Sequence, residues 1–193
     1  MTQKTVVVEP TGEHAEIDTQ LDRDAIAGLF DADPDVRRRT ADLVELEPER
    51  FSPPVLFALT EVLLDQGRPA DALFWFYAAQ IRAHFDAGRC TDQTAGSAVG
   101  VLLQRFGEPI HRFAFTDPER LRRTVVRAVL WDRRTPYRYD HRWIALHGMG
   151  AFTGADGALS TPVEEWTALA RRNRADFLAG LRRTLRSIPP QRG

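Results

Sequence analysis

Four positions in the chain place a helix-capping side chain directly before a proline, and this pattern constrains the fold more than any other. They are Asp33-Pro34, Ser52-Pro53, Asp117-Pro118 and Thr161-Pro162. A Ser, Thr or Asp side chain accepts a hydrogen bond from a free backbone N–H at a helix start, and proline fits the first helical position because the N–H it lacks would have no partner there. Only Thr5-Val6-Val7-Val8 has the composition of a strand. The sequence therefore predicts an all-α fold, with at most a short N-terminal strand or arm.

The spacing of apolar residues predicts one compact domain over residues 1–193, a bundle of six or seven helices without a linker rich in proline or serine. The predicted helices span 19–31, 34–46, 53–66, 69–87, 92–106, 117–133 and 161–187. The last begins with Thr161-Pro162-Val163-Glu164, the pattern of a capping box, in which the glutamate also bonds back to the cap. Residues 1–18 are expected to form an extended arm. Four glycines between 148 and 157 predict a loop region over 134–160, with a short helical piece near 140–147.

The charges of the chain are divided between its two halves. Residues 1–96 contain 18 acidic and 9 basic side chains, whereas residues 97–193 contain 9 acidic and 17 basic ones. Every basic residue except Lys4 is arginine. Such a chain either pairs its halves internally or offers two surfaces of opposite sign to partners.

Composition also excludes several classes of protein. No apolar run approaches the ~18 residues that a membrane-spanning helix needs, so no membrane association is expected. The first ten residues lack the apolar core of a signal peptide, and Cys90 is the only cysteine, which excludes an internal disulfide framework. The sequence therefore predicts a cytoplasmic protein. Its pI near 6.5 argues against a dedicated nucleic-acid binder.

The sequence contains no established motif for catalysis, for metal binding or for cofactor binding. The five histidines show no zinc-binding spacing, and neither a phosphate-binding loop nor a nucleophile elbow occurs. Asp140, His141 and His147 are a weak candidate metal group, and the interpretation that we favour is that they are loop side chains that bond to backbone or water. Cys90 follows Gly88-Arg89 and is expected to be an inert thiol at a helix end. We therefore expect no metal, no cofactor and no enzymatic activity.

Two stretches are candidate partner-binding surfaces. The first is acidic and includes Asp31, Asp33, Asp35, Glu45 and Glu47. The second combines aromatic and basic residues, which protein interfaces favour as anchors, and includes Tyr137, Arg138, Tyr139 and Trp143. The alternative for the second stretch is that Tyr137 and Trp143 turn inward and close the core.

The last predicted helix has a basic outer side. Its arginines are Arg171, Arg172, Arg174, Arg182, Arg183 and Arg186. They are typical of a nucleic-acid-binding surface, and the alternative is that they pair with the acidic side chains of residues 31–49.

The helical hairpin 56–81 resembles one tetratricopeptide unit. Gly67 at the turn is followed by Ala72, Phe76 and Ala79 at the small-large-small positions by which the second helix of such a unit packs on the first. Arrays need about three or more copies, and no second copy follows at the expected period. The hairpin is therefore interpreted as a local packing solution.

A longer stretch resembles a group of poorly characterised bacterial helical proteins. Residues 72–83 are similar to a helix of the form Phe-Trp-Phe-Tyr-Ala-Gly-Gln-Leu-Arg-Ala, and residues 107–115 are similar to its Gly-Pro-Ile-Asn-Glu-Tyr-Ala-Phe stretch. Trp131-Asp132, followed by Pro136, continues the similarity. The chain departs from the group at Ala79, which replaces a glycine, and at His111-Arg112, which replaces Asn-Glu. Members of this group occur beside secreted toxins, so the resemblance implies an immunity or accessory protein.

These observations favour a non-enzymatic, cytoplasmic immunity protein that neutralises a cognate bacterial toxin by covering its active site. Its acidic N-terminal surface would meet a basic cleft of the toxin. One alternative is a helical adaptor or chaperone that holds a peptide in a groove beside Tyr77, Gln80 and His84. Another is a nucleic-acid-binding module that uses the arginine-rich last helix.

Overall fold

A computed structural model describes residues 12–154 and 157–187 and confirms the all-α fold. In these ranges the α-helices are α1 (Gln20–Leu29), α2 (Pro34–Leu46), α3 (Pro53–Asp65), α4 (Pro69–Arg89), α5 (Ser97–Ala114), α6 (Pro118–Arg134), α7 (Met149–Thr153) and α8 (Val163–Ser187). Short 3-10 helices lie at Gly12–Glu16, Pro48–Arg50, Gln93–Gly96 and His141–His147. The described ranges contain no β-strand, although an isolated bridge joins Cys90 to Ser160. None of their helices is both long enough and apolar enough to span a membrane.

The capping pattern predicts three of the four helix starts correctly. Pro34, Pro53 and Pro118 each begin a helix, and the Asp33 side chain accepts a hydrogen bond from the backbone N–H of Asp35 at 2.8 Å. The expected capping box of α8 does not form. This helix begins at Val163, and the hydroxyl of Thr161 is buried without a hydrogen-bond partner among the described residues.

Helix α5 differs most from its predicted bounds of 92–106. Its start is delayed because the side chain of Asp92 caps the 3-10 turn Gln93–Gly96 instead. Its end lies beyond Pro109, which has no N–H for the carbonyl of the preceding turn. The helix continues because Ile110 and Ala114 are fully buried on the same side.

Helix α4 forms the centre of the core and packs against α3, α5, α6 and α8. The ring of Phe76 is fully buried, 5.4 Å from the ring of Phe57 on α3 in an edge-to-face arrangement. Ala72 and Ala79 are also fully buried, and this allows α3 and α4 to approach closely. The tight turn between the two helices depends on Gly67, whose φ of +70° favours glycine.

The N-terminal helices and the last helix pack on different helices of this core. Helices α1 and α2 pack on each other and on α3, whereas α8 packs on α4 and α6. Helices α3 and α4 therefore stand between the acidic N-terminal pair and the arginine-rich last helix.

The 134–160 region is more ordered than a glycine-rich loop. It contains the 3-10 helix His141–His147 and α7, which ends at Gly154 with a φ of +64°. Gly148 packs directly on Asp92. A Cβ at position 148 would lie 2.2 Å from a carboxylate oxygen of Asp92, so a larger residue does not fit there. Ala155 and Asp156 lie outside the described residues.

The predicted extended arm is wrong for its described part. Residues 12–16 form a 3-10 helix, and both His14 and Ile17 are buried. The candidate strand at residues 5–8 lies outside the described residues.

Candidate binding surfaces

Three of the predicted acidic residues lie together at the turn between α1 and α2. Asp31, Asp33 and Asp35 are all exposed. Asp33 caps α2, and its own backbone N–H donates to the side chain of Asp31 at 2.8 Å. Asp35 forms an exposed ion pair with Arg38 at 2.9 Å. The turn is thus acidic and accessible, but Asp33 also has a structural role.

Glu45 and Glu47 differ in their availability to a partner. Glu45 accepts two hydrogen bonds from Arg68, at 2.7 and 2.9 Å, and one from Nε1 of Trp75 at 3.3 Å. These hydrogen bonds raise the pKa of Arg68 above its usual value and tie α2 to the start of α4. Glu47 pairs with the nearby Arg50. Glu45 therefore serves the fold, whereas Glu47 lies closer to the surface.

Large apolar side chains are exposed beside these acidic groups. Leu46 is 77% exposed and Leu43 is 45% exposed, and both project from the C-terminal half of α2. Leu21 on α1 and Phe30 directly after α1 are 40% and 44% exposed. We call the surface of α1, α2 and their connecting turn the α1–α2 face. Leu43 and Leu46 lie one turn apart on α2 and together expose an apolar surface of the kind that interaction sites use.

The predicted aromatic surface lies largely inside the protein. Trp143 is 3% exposed, and its Nε1 donates to Oδ2 of Asp86 at 2.8 Å. The hydroxyl of Tyr139 donates to the same oxygen at 2.9 Å, and that of Tyr137 donates to Asp132 at 2.5 Å. Inward packing, the alternative for this stretch, is therefore what the structure shows for its aromatic side chains. The physical reason is that buried carboxylates need donors.

Arg138 is the exception within the same stretch. Its side chain is 65% exposed and lies 3.9 Å from the carboxylate of Glu49, while its backbone N–H donates to the Glu49 carbonyl at 2.8 Å. Arg138 is therefore the one member of the predicted aromatic-basic surface that is well placed to meet a partner.

The carboxylates of Asp86 and Asp132, which accept these aromatic hydrogen bonds, belong to a buried charge cluster around α4. Arg82 is fully buried, with its guanidinium 4.4 Å from the ring of Trp131 and 4.2 Å from that of Tyr137. It donates to the carbonyls of Thr135 and Pro136, each at 3.1 Å. This arrangement fixes the chain that leaves α6 against the centre of the core.

Asp86, one helical turn beyond Arg82 on α4, is the second centre of the cluster. It pairs with Arg89 at 2.6 Å and is fully buried. Sequence analysis did not single out this cluster. The available signal was the presence of three charged residues, Arg82, Asp86 and Arg89, in the last turns of a helix whose middle is rich in large apolar side chains.

The arginines of α8 form a basic surface that does not pair with the acidic segment. Arg174 binds Asp132 on α6 at 2.6 Å. Across the described residues, no ion pair joins Arg171, Arg172, Arg182 or Arg183 to an acidic side chain of 31–49. The internal pairing considered from sequence is therefore absent there, because α8 and α2 pack on different sides of the core.

A groove of about 500 Å³ opens between α4, α5, α6 and α8. Tyr77, Gln80 and His84, the residues named for the peptide-holding alternative, all line it. Its remaining lining residues are His111, Phe115, Leu121, Val125, Asn173, Asp176, Phe177, Gly180, Leu181 and Thr184. The groove thus combines apolar side chains of α6 and α8 with polar side chains of α4, α5 and α8.

Burial favours the neutral forms of one tyrosine and two histidines of the groove. Burial raises the pKa of Tyr77 to about 12 and lowers the pKa of His84 and of His111. His111 packs edge-on to Phe76 at 5.4 Å and lies over Gly107, where a Cβ would come within 3.1 Å of its ring. Neutral imidazoles and a phenol each both donate and accept hydrogen bonds.

The other candidate reactive groups have structural surroundings. Cys90 is buried, and burial raises the pKa of its thiol. Nε2 of His141 lies 2.8 Å from the hydroxyl of Ser160, and burial, together with Arg89, lowers its pKa to about 4. Asp140 accepts hydrogen bonds from Arg142, and the described part of the chain holds no group of three or more metal-ligating side chains.

Comparisons with known proteins add no relative. No family model, no curated protein and no solved structure matches the chain.

Proposed function

We propose that this protein is a non-enzymatic binding protein whose α1–α2 face covers a basic surface of a partner protein. In its most specific form, the proposal is a cytoplasmic immunity protein that neutralises a cognate bacterial toxin by occluding its active site. The observation that carries it is the exposure of Leu46 and Leu43 on a surface with many carboxylates.

The apolar and acidic groups of this face have complementary roles in the proposed complex. Burying an exposed leucine side chain contributes about 1.5–3 kcal/mol, so Leu46 and Leu43 would supply affinity. The carboxylates at the α1–α2 turn would attract a basic surface and accelerate association. The segment that forms the α1–α2 face, residues 20–46, contains 7 acidic and 4 basic side chains, and this excess of negative charge favours a cationic partner.

We choose a toxin as the partner because of a resemblance to proteins found beside secreted toxins. The resemblance covers residues 72–83, residues 107–115 and the Trp131-Asp132 pair. An active site that acts on nucleic acid or nucleotides is basic and would suit the α1–α2 face. A single, buried cysteine is compatible with the reducing cytoplasm.

The partner is tested by co-expressing the tagged protein with the product of the neighbouring gene and purifying the tagged chain. We expect one-to-one recovery of a neighbour that is toxic when expressed alone. Recovery of nucleic acid, or of many unrelated chains, would contradict the proposal.

The binding face is tested by charge reversal. The Asp31→Lys/Asp35→Lys variant keeps the cap formed by Asp33 and should slow association sharply at low salt. The Glu164→Lys/Glu165→Lys variant changes the charge by the same amount on exposed positions of α8 and should leave association nearly unchanged. Equal effects of the two variants would exclude the α1–α2 face.

A further inference from the structure

We propose that the groove between α4, α5, α6 and α8 is a binding site for a small organic amine with an apolar body. This site is independent of the α1–α2 face, which lies on other helices. The groove has the size of a small-molecule site, one glycine in its lining and one carboxylate among its side chains.

The size of the groove fits a small molecule. Its volume of about 500 Å³ lies within the range of roughly 300–1,000 Å³ that is typical of small-molecule sites. Leu121 and Val125 of α6 and Leu181 of α8 form an apolar floor, on which a hydrocarbon body can be buried.

Gly180 keeps the groove open. It lies inside α8, and a Cβ there would meet nothing closer than Nη2 of Arg183, at 3.7 Å. Its φ is not in the left-handed region. Neither backbone conformation nor crowding therefore requires a glycine, although glycine weakens a helix. A larger side chain at this position would fill the groove.

The charge of the lining selects a cation. Asp176 is the one carboxylate among the lining residues, and no lysine or arginine lines the groove in the described part of the chain. Asp176 is exposed and forms no ion pair among the described residues, whereas Nη2 of Arg183 reaches to 3.7 Å from the Cβ position of Gly180, one turn away from Asp176. A protonated amine in the groove would therefore meet one carboxylate and no cationic group among the lining side chains.

Aromatic rings and neutral polar groups complete the site. The rings of Tyr77 and Phe177 meet edge to face at 6.1 Å, and aromatic faces attract ammonium groups. The hydroxyl of Tyr77 and the side chain of Gln80 form no hydrogen bond within the described residues, so both are free to accept one from an amine.

The test uses three probes of matched shape in a ligand-observed NMR titration at fixed ionic strength. They are 2-phenylethylamine, its neutral analogue 2-phenylethanol and the anionic 3-phenylpropionate. Because Asp176 is exposed, its ion pair should make the amine bind about two- to fivefold more tightly than the alcohol, and the carboxylate should bind most weakly. Equal binding of the amine and the alcohol would overturn the proposal.

Variants locate the binding. Gly180→Leu should abolish it, whereas Gly100→Leu, the same change at an open, exposed position of α5, should leave it intact. Asp176→Asn should remove the preference for the amine without changing the affinity for the alcohol. Circular dichroism verifies that each variant is folded. If Gly180→Leu binds the amine as the native chain does, the groove is not the site.

A lysine side chain of a partner peptide presents the same ammonium group, and this is how the adaptor alternative would use the groove. N-acetyl-Phe-Lys-amide is therefore titrated beside 2-phenylethylamine. Tighter binding of the free amine supports the small-molecule assignment. Tighter binding of the peptide would overturn it.

Discussion

Nε1 of Trp143 lies 2.8 Å from a carboxylate oxygen of Asp86, although 57 residues separate the two in the chain. The same oxygen accepts the hydroxyl of Tyr139. Asp86 thus binds the segment after α6 to the central helix α4. This contact explains why an aromatic stretch with the composition of an interface lies in the interior.

Replacing Asp86 by alanine should be strongly destabilising. The change leaves the buried charge of Arg89 and two aromatic donors without their acceptor, and breaking a buried pair in this way costs about 3–5 kcal/mol. Urea unfolding measures the loss. Asp71→Ala, which removes an exposed ion pair with Arg68, is the control and should cost less than about 1 kcal/mol. Similar losses for both variants would contradict the structural role of Asp86.

The two glycines beside the groove should respond oppositely to alanine. Gly180→Ala is expected to raise the free energy of unfolding by about 0.5–1 kcal/mol, because alanine favours the helix and the space is open. Gly107→Ala should give no such gain, because the new Cβ would crowd the ring of His111 at 3.1 Å. Thermal unfolding of the two variants measures both changes in stability. A gain in stability for both variants would show that the His111 side chain can move away from the new Cβ at little cost.

Stability should fall on acidification partly because of His141. Its pKa is about 4 in the folded protein against an ordinary value of 6.5, so the unfolded chain binds the proton more readily. The contribution of His141 is therefore fully present above about pH 6.5 and is lost as the pH falls towards 4. Because the ring is only partly buried, we expect about 1–2 kcal/mol from this group.

The measurement compares urea unfolding of the native chain and of His141→Gln at pH 7.5 and pH 4.5. The difference in stability between the two pH values should be smaller in the variant. An unchanged difference would assign the acid sensitivity to other groups, and NMR titration of the imidazole checks the pKa directly.

Leu46 should matter for binding and not for folding. At 77% exposure, its replacement by glutamate is expected to change the free energy of unfolding by less than about 0.5 kcal/mol. The same replacement at Leu63, which is fully buried on α3, should prevent stable folding. If Leu46→Glu weakens recovery of the partner while remaining folded, the α1–α2 face is the binding surface. Unimpaired recovery would remove Leu46 from it.

Sequence signals that act within one helical turn predicted the helix starts that they control. Asp33-Pro34 and Asp117-Pro118 start helices because a cap and a missing N–H act within one turn of the chain. The C-terminal end of α5 was not predictable in this way. Pro109 is a local stop signal, and it is overridden by the burial of Ile110 and Ala114 against distant helices.

The candidate sites show the same limit. The exposure of Asp31 and Asp35 was predictable because they flank a helix start in an acidic segment. The inward position of Trp143 was not, since it depends on Asp86 in another helix. The groove needed four helices to come together, although Tyr77, Gln80 and His84 already marked one of its walls in the sequence.

The acidic helix pair and the arginine-rich α8 pack on different helices of the core, so a protein with almost no net charge carries opposite charges on separate surfaces and has an electric dipole. A nearly neutral molecule is not pulled strongly towards a charged object, but a dipole is rotated by its field. A cationic partner would therefore turn the acidic end towards itself before contact and spare the pair much of its rotational search. The arginine end would at the same moment point away, exposed to any anionic neighbour of the complex.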